Sequence, residues 1–419
     1  MRLAWLLRSP EPSGWDGYYY VAQAMHLAQD GHFHVSDPSW VLYLLSLPHL
    51  LGLPAAVGVK LVAALLAAAC VPAAFLLGRR VDERAAWWLA LWAAGSPALT
   101  HLAGDFPKNL GAAPALLFGL ALAERPAVAL ALGAVSGWAH RLGAVLALAA
   151  APGVSKRWWA ALVLVAGVAA IVLWPTNAPR VREAFGAAWP PPPWAYFALR
   201  TTSWAEAVEL SLAWPALIAG AWTFWRKRHR GLIASLWLPL FVCALPLWRT
   251  DTLDLGYRLA LMAPVFAVPL LVVSLPRLPR PAFALPLALL AVTGFDPHAT
   301  PDYPRYRALI AKIPRPLPEL LIAHQGINFL YDVETGEEAM AWAPERSLDR
   351  AKVYRLAWGI TDGEWLAYAP GEEAQRLDSD YLYVREDAWE RFVAGAAGDD
   401  SVRERLGDHR NPHRVRPGR

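Results

Sequence analysis

The first 295 residues are poor in acid: they hold 13 of the 35 Asp and Glu residues of this 419-residue chain. Most of those 13 lie at the ends of apolar segments or in loops. Cysteine is nearly absent too. Cys70 and Cys243 both fall inside apolar runs, where a thiol serves as a small apolar side chain, so neither a disulfide framework nor a cysteine-ligated metal organises the fold. The stretch after residue 295 has no cysteine and must fold without disulfides. No internal repeat is evident, which counts against an inverted-repeat transporter. The first polar loop contains no His-x-x-x-His or Asp-x-Asp arrangement. Its one local cluster, His32 and His34 beside Asp37, reads as solvent-facing, so no metal site is assigned. The net charge of +4 comes from loop arginines and gives no reason to expect nucleic acid as a partner.

What the chain does have is apolar sequence, 56% of all residues, in runs that approach or exceed the ~20 residues needed to cross a bilayer. Candidate spans are 54–78, 85–103, 109–123, 126–150, 157–175, 207–225, 231–248, 257–275 and 282–295. Several are short or broken by proline, and 126–150 also fits a span plus a returning half-helix. Nine to eleven membrane segments are expected. A soluble protein would have nowhere to put such runs. Tryptophan pairs at segment ends, Trp87-Trp88 and Trp158-Trp159, fit interface anchoring.

Basic residues set the orientation. Arg79, Arg80, Arg84, Arg125, Lys156, Arg157, Arg226, Lys227, Arg228, Arg230, Arg277 and Arg280 supply 12 cations to five short loops, which the positive-inside rule assigns to the cytoplasm. The alternating loops, around 16–53, 101–109, 140–141, 176–206 and 249–257, then face outward. The expected organisation is a transmembrane domain over 1–295, an extracytoplasmic α/β domain over 296–409 and a disordered basic tail over 410–419. The outer domain holds 22 of the 35 acids, and Val353–Trp358 and Tyr381–Val384 read as its strands. Residues 17–30 read as a surface helix: Tyr20, Val21, Ala24, Leu27 and Ala28 recur at helical spacing and Gly31 ends the run.

Polar residues placed on the outer side carry the functional argument. Asp16-Gly-Tyr-Tyr-Tyr, the helix ending at Asp30-Gly31, Pro38-Ser-Trp-Val-Leu-Tyr and a span closing in Gly78-Arg79-Arg80 resemble the first outer loop and following helix of the GT-C superfamily of polytopic membrane glycosyltransferases. That superfamily includes protein mannosyltransferases and the aminoarabinose transferase of lipid A. The resemblance continues through Ser96-Pro97, Gly104-Asp105, Ala139-His140-Arg141 and Gly256-Tyr257-Arg258, and covers most of residues 10–295. It departs from the family at its start. Only Leu3 to Leu7 precede Asp16 as an apolar run, too short to span, where the family has its first transmembrane helix.

The resemblance implies an all-α polytopic membrane bundle with a small C-terminal extracytoplasmic α/β domain. It implies an inverting transferase in a cell membrane, moving a sugar from a polyprenyl-phosphate donor to an acceptor protein, lipid or envelope polymer. Asp16 stands at the family's first-loop acidic position, where a carboxylate takes the acceptor's proton; capping the helix or pairing an arginine is its alternative. Arg258 stands where the family often has a phosphate-binding arginine, whose planar guanidinium suits phosphate oxygens; snorkelling toward headgroups is the alternative. Asp105 occupies the place of the second loop carboxylate, and Lys108 neutralises it or touches phosphate, unless both belong to a polar turn. His140, Arg141 and Tyr257 complete the expected substrate-binding set, with His140-Arg141 in a polar cavity or at the bilayer surface. Some family members use a divalent ion and others do not, so the resemblance fixes no cofactor beyond the donor itself. The competing expectation is a non-catalytic binder of lipid-linked sugar, or a transporter, with a similar bundle.

Overall fold

The structure, a computed structural model, describes residues 2–14, 16–34, 37–155, 204–225, 229–244, 255–274, 303–311, 319–323, 325–336, 374–378 and 381–385. It is mostly helical and divides into two compact units. The expected spans 157–175 and 282–295, the strand Val353–Trp358 and the basic tail lie outside the described residues.

The first unit holds the described residues up to Pro10 and from Asp37 to Ser274. Its helices are α1 (Arg2–Leu6), α3 (Trp40–Leu50), α4 (Ala55–Arg79), α5 (Glu83–Gly95), α6 (Pro97–Asp105), α7 (Pro107–Ala121), α8 (Pro126–Ala139) and α9 (Arg141–Val154). After these come α10 (Trp204–Ser211), α11 (Ala213–Trp225), α12 (Arg230–Cys243), α13 (Leu255–Met262) and α14 (Pro264–Ser274); α2 belongs to the second unit. Where nine to eleven spans were expected, two stretches among the described residues, Ala55–Arg79 and Ala205–Trp225, are long and apolar enough to cross a membrane.

Proline explains much of the shortening. The expected span 85–103 is two helices, because Pro97 disfavours helical geometry at Ser96, whose ψ is 119°. Span 257–275 likewise divides before Pro264. Span 126–150 is a helical hairpin hinged at His140, with Gly137 against Ala144 and Gly133 against Ala147 across its two arms. Each arm has 14 residues, so it reaches about 21 Å, short of the ~30 Å hydrocarbon core.

Small residues let these helices approach closely. A Cβ on Gly78 would sit 2.5 Å from the backbone of Ala85 and Ala86, where α4 turns into α5. Buried polar contacts hold the α5–α6 break. Glu209 on α10 is 4% exposed; its Oε1 accepts from Trp92 Nε1 and Ser96 Oγ, both at 2.6 Å, and its Oε2 accepts from the Ala98 amide at 2.8 Å. Arg2 reaches the same break, donating to the Ala93 carbonyl at 2.7 Å and to Thr100 Oγ1 at 3.0 Å. Lys60, buried within α4, donates to the Ser9 carbonyl at 2.6 Å. Several large apolar side chains remain outside: Trp225 is 83% exposed, Ile218 72%, Trp222 62% and Leu65 59%.

The second unit holds Glu11–His34 and the described residues from Tyr303 on. Here α2 (Gly17–Asp30) ends at Gly31 in the left-handed region, φ 75°, as the sequence pattern requires. Expected as a surface helix, α2 instead buries Tyr18 and Tyr20 through Ala24 and packs on α16 (Gln325–Thr335). Tyr18 meets Tyr303 of α15 (Tyr303–Ile310) edge to face at 4.7 Å, and the Tyr303 hydroxyl donates to the Gly14 carbonyl at 2.5 Å. Arg307 pairs with Glu11 and with Glu334, and Tyr18 donates to Glu11 at 2.6 Å. Burial and then the Glu11 carboxylate push the Tyr18 phenol up. Burial works against the Arg307 charge, but hydrogen bonds to Glu11 and Glu334 outweigh it and raise its pKa. Three strands form an antiparallel sheet of order β1 (Glu319–Ala323), β3 (Tyr381–Arg385), β2 (Ala374–Asp378), with Glu319 opposite Arg385 and a bulge between Arg376 and Asp378.

Two substitutions check the packing of the first unit, both by thermal unfolding in detergent. Gly78→Val forces a side chain into backbone atoms and is expected to cost about 3 kcal/mol or more, since α4 and α5 meet through main chain with nothing flexible to yield. Glu209→Leu strands three buried donors at roughly 1–3 kcal/mol each and is expected to lower the melting temperature further than Gly78→Val.

Candidate functional site

Two helix breaks in the first unit come together and bring polar side chains with them. At the first, Phe106 (φ −131°, ψ 57°) separates α6 from α7, and Pro107 takes the first helical position, where its missing N–H costs nothing. At the second, His140 (φ −159°, ψ 145°) separates α8 from α9 and caps α9, its Nδ1 accepting from the Leu142 amide at 3.2 Å. Asn109 on the first turn of α7 reaches the same Nδ1 at 3.4 Å. With Nδ1 accepting, the ring proton belongs on Nε2, which stays a donor.

The segment before α3 joins them. Ser39 Oγ donates to the Ala139 carbonyl at 2.6 Å, Trp138 Nε1 to the Pro38 carbonyl at 2.5 Å and Trp40 Nε1 to the Val135 carbonyl at 2.9 Å. Asp37 thereby comes within 2.5 Å of Lys108 Nζ. Arg258 on α13 lays its guanidinium over the Phe106 ring, 4.3 Å from the centroid. Arg258, Lys108 and Arg141 all act electrostatically on His140. Cations therefore gather beside the N-termini of α7 and α9, whose dipoles also favour an anion.

A groove lies along the same helices. The two arms of the hairpin and α7 enclose an apolar cavity of about 360 Å³. Gly137 and Ala144, one turn from His140, line its near end, and Leu120 and Val154 its far end. Between Ala144 and Val154 the helix rises about 15 Å. The lining is Ala, Gly, Leu and Val throughout.

Of the expected site residues, Lys108, His140, Arg141 and Arg258 gather here. Asp105 begins the same break, but its carboxylate pairs with His101 Nε2 at 3.5 Å, and His101 Nδ1 pairs with the fully buried Glu206 at 3.0 Å. The cation expected to neutralise Asp105, Lys108, pairs with Asp37. Tyr257 lies in α13, with its side chain outside the described residues. Asp16 belongs to the second unit, at the N-cap position of α2, and its side chain makes no capping hydrogen bond.

Sequence reasoning missed Asp37 as the partner of Lys108 and missed Glu206 and Glu209 altogether. The two glutamates carried a signal: carboxylates at the start of an apolar segment, three residues apart, share one helix face. Comparison with known proteins adds nothing further, since no family model, no curated protein and no solved structure matches this chain.

The cluster predicts its own ligand class. Arg258→Met and Lys108→Met are each expected to weaken binding of a phosphate-bearing lipid about tenfold, the loss of one charge-assisted contact. Titration of the lipid into nanodisc-embedded protein measures it, with a neutral lipid of equal chain length unaffected.

Proposed function

We propose that this chain is a multi-pass cell-membrane glycosyltransferase of GT-C type, taking a sugar from a polyprenyl-phosphate donor and passing it to an extracytoplasmic acceptor. One observation supports this above the rest. A cluster of cations and helix N-termini lies about one helical turn from the near end of a groove lined by apolar side chains, a combination that suits a charged headgroup on a long hydrocarbon chain. The exposed Trp225, Trp222, Ile218 and Leu65 support burial in lipid, because such side chains crowd no ordinary aqueous surface.

In this reading Arg258 and Lys108 take up negative charge as the phosphate leaves the anomeric carbon. Asp37 tempers Lys108 until the donor arrives. His140 offers its Nε2 proton as a further hydrogen-bond donor to the phosphate. The base is assigned on the resemblance alone, with Asp16 as the carboxylate that takes the proton of the attacking acceptor hydroxyl, with inversion at the anomeric carbon. The domain that follows the bundle lies outside the cytoplasm, and acceptor identity follows from a surface this chemistry leaves open.

Transfer from radiolabelled polyprenyl-phosphate sugars in proteoliposomes tests the proposal. Asp16→Asn is expected to lower transfer roughly 10²–10⁴-fold, the usual worth of a general base, while donor binding is kept. Donor binding without transfer by the unmodified protein, across a broad acceptor panel, would instead support a non-catalytic binder. Sugar crossing the bilayer unchanged would support a transporter.

A further inference from the structure

The second unit carries a cluster that the glycosyltransferase reading does not use. His26 stands on the last turns of α2, and its Nε2 lies 3.0 Å from Asp332 on α16. Gly31 turns the chain so that His34 returns over His26, the two rings stacked with centroids 4.7 Å apart and planes 29° apart. One donor atom from each of His26, His34 and Asp332 lies within 4.8 Å of the other two. Behind His26, its other ring nitrogen meets Asp30 at 2.6 Å.

We propose that His26, His34 and Asp332 form a binding site for a divalent first-row transition ion, of which Zn²⁺ is the natural probe. Three features of the cluster favour an ion over a plain hydrogen-bonded triad. Asp332 is 6% exposed, and among the described residues its hydrogen bonds come from His26 alone and no lysine or arginine pairs with it, so a buried carboxylate faces two imidazoles. Stacked imidazoles would repel if both were protonated, whereas neutral imidazoles sharing a cation do not. The Asp30 contact holds a proton on His26 Nδ1, so an ion that displaces the Nε2 proton now shared with Asp332 would find the Nε2 lone pair already aimed at the carboxylate; this is the carboxylate–histidine arrangement that orients metal ligands elsewhere in proteins.

The donor set also suits the chemistry. Two imidazoles and one carboxylate are borderline ligands, matched to Zn²⁺, Fe²⁺, Co²⁺ or Ni²⁺ rather than to Ca²⁺ or Mg²⁺. Tetrahedral donors with bonds of about 2.0–2.1 Å stand roughly 3.4 Å apart, so closure asks His34 for a side-chain rotation on its loop. Three protein ligands leave a further position for water. The ion would tie the loop after α2 to α16, joining the first polar loop of the sequence to the chain that follows the bundle.

The test is zinc content and affinity of the full-length protein in detergent, stripped with chelator and reloaded. One Zn²⁺ per chain is expected. His34→Ala, chosen because it removes a loop side chain and leaves both helices intact, and Asp332→Asn are each expected to weaken binding at least 100-fold. Asp30→Asn, acting through His26, should weaken it about 10–100-fold. His32→Ala, an exposed neighbour, should change nothing. Loading with Co²⁺ gives a second readout, visible absorption bands that shift in Asp332→Asn. No stoichiometric Zn²⁺ or Co²⁺ uptake by the unmodified protein would overturn the proposal, as would uptake unchanged in both His34→Ala and Asp332→Asn. Neither outcome bears on sugar transfer, which the proteoliposome assay measures separately.

Discussion

A helix that stops inside an apolar environment leaves peptide groups that water cannot reach, so each break must find its partners within the protein. The first unit depends on meeting that demand. At the α5–α6 break the Ala98 amide goes to Glu209, Ser96 Oγ takes up the Leu99 amide, and Arg2 collects the Ala93 carbonyl. At the α8–α9 break His140 caps the new helix and Ser39 takes up the Ala139 carbonyl. Residues remote in sequence are thus fixed to one another because the breaks would otherwise be too costly to form.

The same economy builds the candidate site. A broken helix gives two things at once, a freed N-terminus and a place where a polar side chain is tolerated. Lys108 and Asn109 ride on the first turn of α7, and Arg141 on the first turn of α9, because the breaks are there. Arg258 joins them through the face of Phe106, the residue at the break itself. Small residues along the hairpin keep its arms close and leave the groove beside them: alanine and glycine fill no space of their own, so the volume stays open to another apolar chain.

The second unit is organised differently, around charge paired with charge. Glu11, Tyr18, Arg307 and Glu334 form one connected group, and His26, Asp30 and Asp332 another. Both tie α2 to elements some 300 residues further along the chain. α2 reads as a surface helix in sequence because its periodic face is short. Its burial extends beyond that face to Tyr18, Ala22 and Gln23.

By itself the sequence determined what depends on near neighbours. Pro97, Pro107 and Pro126 open helices because a fixed φ and a missing N–H act within one residue, and Gly31 closes α2 because its left-handed backbone suits no side chain. Helical content, the apolar runs and the presence of Lys108, His140, Arg141 and Arg258 near helix ends were legible for the same reason. Only the tertiary structure decided who meets whom. Hydrophobic periodicity said nothing of the Lys108–Asp37 pair, the Glu209 contacts or the closure of His26, His34 and Asp332, since those partners are 71, 113 and 306 residues apart and no local rule carries that far. The sequence pattern put His34 with His32 and Asp37; the fold put it with His26 and Asp332, because a turn at Gly31 and the packing of α16 on α2 outweigh adjacency along the chain.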